Sequence, residues 1–229
     1  METPSIKTTP ANVNGTFDVP PTIDETVKRK SARSLDDRAL NTIFFGARSA
    51  KAFVDRPVPR DLLERAVRIA LMGPTSANCL PLRIVFVVTP QAKERLGPAL
   101  DSQSHDLTMA APVNAIMAAD LKFYDHFGRT IPERGEFFKG LIGGLPAETR
   151  RGMAWDNAVL QMGYFTIALR SVGLDAGAIE GFERSIVDAA FFPNGQFVSQ
   201  YVVNIGYGDD AKVTPRLPRF NVEEIARFT

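Results

Sequence analysis

The sequence has very few of the residues that build metal centres and disulfide frameworks. It contains one cysteine, Cys79, and two histidines, His105 and His126. A single cysteine excludes an internal disulfide. Neither histidine has a cysteine or a second histidine at ligand spacing, so we predict no metal site. No residue near Cys79 would activate it, and we expect a small buried thiol rather than a nucleophile.

An excess of charge and long apolar runs are also lacking. The net charge is +1, and basic and acidic residues are mixed along the chain, so nothing predicts a nucleic-acid surface. No run approaches the roughly 20 apolar residues of a membrane span. The opening stretch METPSIKTTPANVNGTFDVPP has no apolar segment of the kind found in secretory signals. We therefore expect a cytoplasmic protein without nucleic-acid or membrane partners.

The chain does contain one large apolar domain, which follows a polar start rich in proline and threonine. We predict an N-terminal arm over residues 1–38, either flexible or wrapped around a partner subunit, and a single domain over residues 39–229. Residues 121–146 look irregular, like a mobile insertion. Apolar periodicity predicts strands in RIVFVV, PVNAIMAA and SQYVVNIGYG, and helices in ALNTIFF, PRDLLERAVRIAL, TPQAKERLGPAL, ERSIVDAAF and the long AETRRGMAWDNAVLQMGYFTIALRSVG.

These strands and helices alternate without a strict βαβ repeat, which predicts an α+β fold with a mixed sheet flanked by helices. DAGAIEGF, after the long helix, is interpreted as a short connection.

GYGDDA, residues 206–211, imitates a dinucleotide fingerprint, but KVTPRLPRF follows it and its prolines forbid the helix that this fingerprint opens. Any nicotinamide cofactor would therefore bind outside a Rossmann fold.

Three polar clusters carry the candidate chemistry. Arg48, Ser49 and Lys51 can hold a phosphate, although a solvated basic helix end explains them equally well. The loop GPTSANCLP, residues 73–81, crowds donors and acceptors into one arc that suits a polar heterocycle, or forms only a cluster of turns. IEGF, residues 179–182, places an acid and a glycine at a turn. Together the three predict a site for a flat, phosphorylated ligand.

The order of these pieces resembles the nitroreductase family of FMN-dependent oxidoreductases. RSAKAF, GPTSANCLP, GLDAGAIEGF and NIGYGDDAKVTPRLPR follow one another as they do in the family, over roughly residues 42–220. GPTSANC, RIVFV, NIGYGD and RLPR are similar to the malonic semialdehyde reductase subgroup, which forms 3-hydroxypropanoate. The resemblance implies a nitroreductase-like fold in a domain-entwined homodimer, with two FMN sites at the subunit interface and NADH or NADPH as reductant.

The resemblance also implies which residues hold FMN. Arg48 and Arg216 would hold the phosphate, and the 73–81 loop would reach the flavin from the other subunit. Ala47 and Thr214 depart from the family by replacing cations that many members carry, and Ser104 stands where many members carry asparagine. The full set of predicted FMN contacts is Arg48, Ser49, Lys51, Pro74, Thr75, Ser76, Asn78, Ser104, Glu180, Gly181 and Arg216.

The implied reaction is a ping-pong, two-electron hydride transfer through N5 of the flavin. Lys51 near N1 and the backbone N–H of Gly181 near N5 give electrostatic support, and no side chain is assigned as a proton donor. Aromatic density in the 121–146 segment favours a nitroaromatic acceptor, whereas Arg129, Arg134 and Lys139 would suit a small aldehyde acid. A flavin carrier or sensor without turnover is the remaining alternative. The predicted acceptor-stacking residues are Phe123, Tyr124, Phe127, Phe137 and Phe138.

Overall fold

A computed structural model describes residues 34–229, and Asp37–Thr229 form one compact unit. Residues 1–33 of the predicted arm lie outside the described residues. The strands are β1 (Leu82–Val87), β2 (Val113–Asp120), β3 (Asp175–Ile179) and β4 (Phe197–Gly206). The helices are α1 (Asp37–Leu40, continued by a π-helical turn over Asn41–Phe45), α2 (Arg60–Ala70), α3 (Pro90–Leu96), α4 (His105–Ala110), α5 (Phe127–Thr130), α6 (Gly135–Gly143), α7 (Ala147–Ser171), α8 (Arg184–Phe191) and α9 (Val222–Ile225).

The four strands form one sheet in the order β1-β2-β4-β3, with antiparallel pairing throughout. β2 lies inside the sheet and is buried along its whole length, so it is apolar on both faces except at Asn114 and Asp120, whose side chains are hydrogen-bonded. Its Met117 side chain packs with α2 and α7 on one face, while Ile116 packs with α3 and α8 on the other. This arrangement confirms the predicted α+β fold with helices on both faces of the sheet. One isolated parallel bridge, between Ser49 and Ala176, extends the β3 edge.

The helix α7 is the central element, as the sequence predicts. Its 25 residues bury small and large apolar side chains on more than one face, including Ala154, Phe165 and Leu169. The helix ends where Gly173 adopts a φ of 83°, a left-handed conformation that glycine takes without strain. The N–H of Leu174 then donates to the carbonyl of Leu169 at 2.9 Å, which closes the last turn.

The other confirmed elements follow local signals. Thr89 caps α3 by accepting a hydrogen bond from the N–H of Ala92 at 3.2 Å, and Pro90 occupies the first turn. The strands predicted from RIVFVV, PVNAIMAA and SQYVVNIGYG are β1, β2 and β4. Directly after β4 the chain makes a 3-10 turn at Asp210–Lys212, and the next helix, α9, begins only at Val222, so GYGDDA does not open a helix as a dinucleotide fingerprint would.

Two predictions are wrong. Residues 121–146 form helical turns with their own apolar cluster, because Phe123 and Phe127 pack against Ala154 and Ala158 of α7. The start of DAGAIEGF is strand β3 rather than a connection, because it pairs with β4 although its small residues have little β propensity. Among residues 34–229, no helix is long and apolar enough to cross a membrane.

Candidate active site

The segment that carries Arg48, Ser49 and Lys51 runs along the free edge of β3. Ser49 bridges Ala176, and the N–H of Ala50 donates to the carbonyl of Ala176 at 3.0 Å. This close approach requires glycine at position 177, because a Cβ there would lie 2.3 Å from the carbonyl oxygen of Ala50. The sheet edge therefore fixes where the first predicted cluster lies.

Arg48 and Arg216, far apart in sequence, meet at one turn. Arg48 Nη1 donates to the carbonyl oxygens of Phe45 at 3.1 Å and Ala47 at 3.0 Å. Arg216 Nη2 donates to the same two oxygens, at 2.8 and 2.7 Å. Desolvation, followed by the charges of Arg48 and Arg219, lowers the pKa of the Arg216 guanidinium. The structure thus brings together the two predicted phosphate ligands, as neighbouring like charges.

A cavity of about 690 Å³ opens beside this turn. Among the described residues that line it, none is Asp or Glu. Lys51 also lines a smaller adjoining cavity of about 150 Å³. The sequence did not indicate two of the cations that line the larger cavity, Arg170 and Arg219. The basic side chains that line it are Arg48, Lys51, Arg170, Arg216 and Arg219.

The turn after β3 brings Ser104 to Gly181. The N–H of Asp101 donates to the carbonyl of Gly181 at 3.1 Å. A Cβ at Gly181 would lie 1.9 Å from Asp101 Oδ2 and 2.9 Å from Ser104 Oγ, so a larger residue there would displace the Asp101 side chain. Hydrogen bonds from the side chain and backbone of Ser104 lower the pKa of Asp101. Beside the turn, a hydrogen bond to Glu180 raises the pKa of Tyr201.

The loop over residues 73–81 is held in a strained conformation. Ala77, Asn78 and Leu80 have φ values of 49°, 47° and 42°, a left-handed region that costs non-glycine residues about 1–3 kcal/mol each. Asn78 Nδ2 donates to the carbonyl of Thr130 at 2.8 Å. The N–H of Ser76 donates to Asn157 Oδ1, also at 2.8 Å. Pro74, Ser76 and Asn78 are all exposed, although the Asn78 amide nitrogen and the Ser76 N–H have partners within the chain.

The loop and the basic cavity lie at opposite corners of the sheet. Leu82, just after the loop, aligns through β2 with Val198 near the start of β4. Ala176, beside Ser49, faces Ile205 near the end of β4. The two corners are seven residues and three strand spacings apart, roughly 24 Å along the strands and 14 Å across the sheet. One copy of the chain does not bring these clusters together.

The aromatic prediction needs correction. Phe123 and Phe127 have no exposed surface and belong to the apolar cluster under α7, so they have no face free for a ligand. Tyr124 and Phe138 are half-buried. Only Phe137 of the five predicted aromatics is largely exposed, at 58%, with its ring 5.4 Å from that of Phe138.

A buried carboxylate lies between the loop and the 121–146 segment. The Asp120 side chain is fully buried; its Oδ2 accepts from Arg83 at 2.6 Å and pairs with Nε2 of His126 at 3.0 Å. Its Oδ1 accepts from Gln196 at 3.0 Å and from the N–H of Lys122 at 2.9 Å.

Within residues 34–229, no three His, Cys, Asp or Glu residues are placed to hold a metal ion. Cys79 is buried, as predicted, and burial raises the pKa of its thiol.

The structure is that of an α+β protein, with helical layers on both faces of an antiparallel sheet and a basic cavity at one edge. Residues 45–207 match the sequence model of the family described as "Nitroreductase family". The chain belongs to the nitroreductase family, whose members are FMN-dependent NAD(P)H oxidoreductases.

Similar proteins agree with this assignment. Over 199 residues the chain is 43% identical to a Stenotrophomonas maltophilia protein named "Putative NADH dehydrogenase/NAD(P)H nitroreductase", covering 86% of this chain and 99% of that protein. A Burkholderia lata protein of the same name is 43% identical over 197 residues, covering 85% and 98%. A nitroreductase-type structure from Exiguobacterium sibiricum, solved in complex with FMN, superposes with a TM-score of 0.75 at 18% identity, covering 87% and 100%. At that identity the structural match supports the fold alone.

Proposed function

We propose that the chain binds FMN between two copies of itself and uses NADH or NADPH to reduce a small acceptor. The preferred acceptor in this proposal is the nitro group of a nitroaromatic compound. The observation that carries the proposal is the basic cavity at the β3 edge, whose described lining has cations and no carboxylate. Relatives named as NAD(P)H nitroreductases support the reductant and the acceptor.

The residues present fit the phosphate end of FMN. Arg48 Nε is buried and has no hydrogen-bond partner among the described residues. Buried N–H groups are seldom left without a partner, and a phosphate offers strong acceptors for arginine. From this cavity the outer edge of β3 leads to Glu180 and Gly181, so an elongated ligand along this strand would reach both predicted clusters.

The remaining contacts require a second copy of the chain. Because the 73–81 loop lies at the opposite corner of the sheet, we propose that Pro74, Thr75 and Ser76 reach the flavin bound at the partner's β3 edge. The left-handed residues of the loop and its tie to Asn157 would hold these groups in place before the ligand binds.

The protein's part in the reaction is placement and electrostatics. Bound FMN would supply the hydride chemistry between NAD(P)H and the acceptor. Lys51 would place a positive charge beside the pyrimidine end of the flavin, where negative charge develops on reduction. The backbone N–H of Gly181 would donate to the reacting edge. Reductant and acceptor would use one position in turn, and the exposed Phe137 is the proposed stacking surface for an aromatic acceptor.

Mixing inactive variants tests the composite site. Arg48→Gln combined with Arg216→Gln removes the basic cavity, and Ser76→Glu places a charge in the loop; each variant alone should bind no FMN. Refolded together, the two variants should recover about a quarter of the wild-type FMN sites, because half of the dimers are mixed and each has one intact site. No recovery from a correctly mixed dimer would place both clusters of a site on one copy.

Acceptor identity is tested with the FMN-loaded protein reduced anaerobically by NADPH or NADH. Reoxidation by 4-nitrobenzoate is expected, with little reoxidation by malonic semialdehyde. The reverse result would assign the chain to formation of 3-hydroxypropanoate. Of the cations that would suit this substrate, Lys139 pairs with Asp125 at 3.2 Å, in a half-exposed ion pair with which a substrate carboxylate would compete. We also propose a cytoplasmic location, which suits a single unpaired cysteine.

A further inference from the structure

Arg170, in the last turn of α7, is not among the predicted ligands, yet its side chain reaches the basic cavity. Its Nη1 donates to the carbonyl of Ile43 at 3.3 Å, which is a long hydrogen bond. Its Nε is buried and has no partner among the described residues. Two guanidinium groups that line one cavity, those of Arg48 and Arg170, therefore share this deficiency.

A cation in the last turn of a helix is ordinarily explained by the helix dipole. That explanation suits an exposed side chain that bonds the last carbonyls of its own helix. Arg170 instead crosses to Ile43, on the segment before the predicted phosphate ligands, and buries its Nε. Desolvation lowers the pKa of Arg170, Asp175 raises it, and Arg216 lowers it. Within residues 34–229, Asp175 forms no ion pair with Arg170, and its Oδ2 accepts from the N–H of Gly208 at 2.9 Å.

We infer that Arg170 is a third guanidinium ligand of the phosphate of the bound ligand, beside Arg48 and Arg216. The inference rests on the proposed FMN site. Three arginines that line one cavity without a carboxylate in its described lining repel one another until an anion binds between them. A phosphate dianion would neutralise this charge and offer acceptors to the guanidinium groups of Arg48, Arg170 and Arg216 that line the cavity. Arg170 would thereby make the site select a phosphorylated flavin over its dephosphorylated form.

The test compares FMN with riboflavin, which lacks the phosphate, by fluorescence titration of the apoprotein. Arg170→Gln is expected to weaken FMN binding by about 10- to 100-fold, the usual value of a hydrogen bond to a charged group, and to leave riboflavin binding unchanged. Arg151→Gln is the matched control, because Arg151 is exposed on the same helix and lines a different cavity. This control should bind both ligands as the wild type does.

The outcomes separate this inference from the proposed function. A wild-type protein that does not prefer FMN to riboflavin refutes the proposed phosphate site itself. A wild-type preference that Arg170→Gln retains in full refutes only the role of Arg170. If Arg170→Gln does not fold, Arg170→Lys serves instead: it keeps the charge but not the planar fork and should lose several-fold in FMN affinity. Unchanged affinity in that variant overturns the inference.

A second readout needs no flavin. Inorganic phosphate should raise the melting temperature of the wild-type apoprotein more than chloride does at equal ionic strength. In Arg170→Gln this difference should be smaller than in Arg151→Gln. Equal phosphate effects in the two variants would contradict a phosphate contact at Arg170.

Discussion

Gly177→Ala should push the segment carrying Arg48, Ser49 and Lys51 away from β3. The new Cβ would lie 2.3 Å from the carbonyl oxygen of Ala50, which is a backbone atom and cannot rotate away. Carbon–oxygen contacts between strands are about 3.3 Å, so the segment must move by about 1 Å. This shift stretches the 3.0 Å hydrogen bond from Ala50 to Ala176, worth about 1 kcal/mol. With the strain of overpacking, the free energy of unfolding should fall by about 2 kcal/mol.

The same shift should weaken FMN binding. A displacement of about 1 Å is enough to break a charge-assisted hydrogen bond, so the dissociation constant for FMN should rise at least about tenfold. Urea unfolding of the apoprotein measures the first effect and fluorescence titration the second. Gly152→Ala is the matched control: its Cβ meets nothing within 4 Å and it lies in α7, so alanine should be neutral or stabilise by about 0.5–1 kcal/mol. A Gly177→Ala protein with wild-type stability and FMN affinity would refute the link between this glycine and the proposed phosphate site.

Three further predictions concern residues away from the basic cavity. Asp120→Asn should lower the free energy of unfolding at pH 7 by about 1–3 kcal/mol, because it removes the buried charge that pairs with the half-buried side chains of Arg83 and His126. Burial raises the pKa of Asp120. Hydrogen bonding to His126 and its other neighbours lowers this pKa by more than burial raises it, so the net shift is downward. The carboxylate therefore stabilises the fold above its unfolded pKa of about 4, and urea curves of variant and wild type should converge as the pH falls below that value. Cys79 should react with a thiol reagent far more slowly in the native protein than in urea, since it is buried with a raised pKa; equal rates would contradict its burial. Phe127→Ala should cost about 3–5 kcal/mol of stability, whereas Phe137→Ala should cost little and raise the KM for a nitroaromatic; unchanged KM would remove Phe137 from the acceptor site.

The parts of the fold that the sequence predicts are those with strong local signals. β1, β2 and β4 are mainly apolar segments, interrupted by only a few polar residues. α3 begins with a threonine cap and a proline, and α7 ends before a glycine. β3 has only Asp, Ala, Gly and Ile, and it becomes a strand through pairing with β4, a contact that no local pattern indicates. Likewise the helices within residues 121–146 exist because they pack on α7, which is close in space and not in sequence.

The candidate site likewise contains residues that sequence motifs indicate and residues that only the fold brings there. Arg48 and Arg216 could be predicted from their motifs, and the structure brings them to one turn. Arg170 could not, because an arginine at a helix end has an ordinary explanation. Asp101 could not be predicted either, because its contact with Gly181 depends on how the turn after β3 meets the segment before α4. Residue type predicts which chemistry is available, while the sheet register decides which residues meet.

The most direct test of the proposed function is the absorbance spectrum of the purified protein, followed anaerobically as NADH or NADPH is added and then 4-nitrobenzoate. We expect flavin bands that bleach with the nicotinamide and return with the nitroaromatic. A flavin that binds but does not bleach would make the chain a carrier or sensor. Absence of flavin, even after incubation with FMN, would contradict the proposed site altogether.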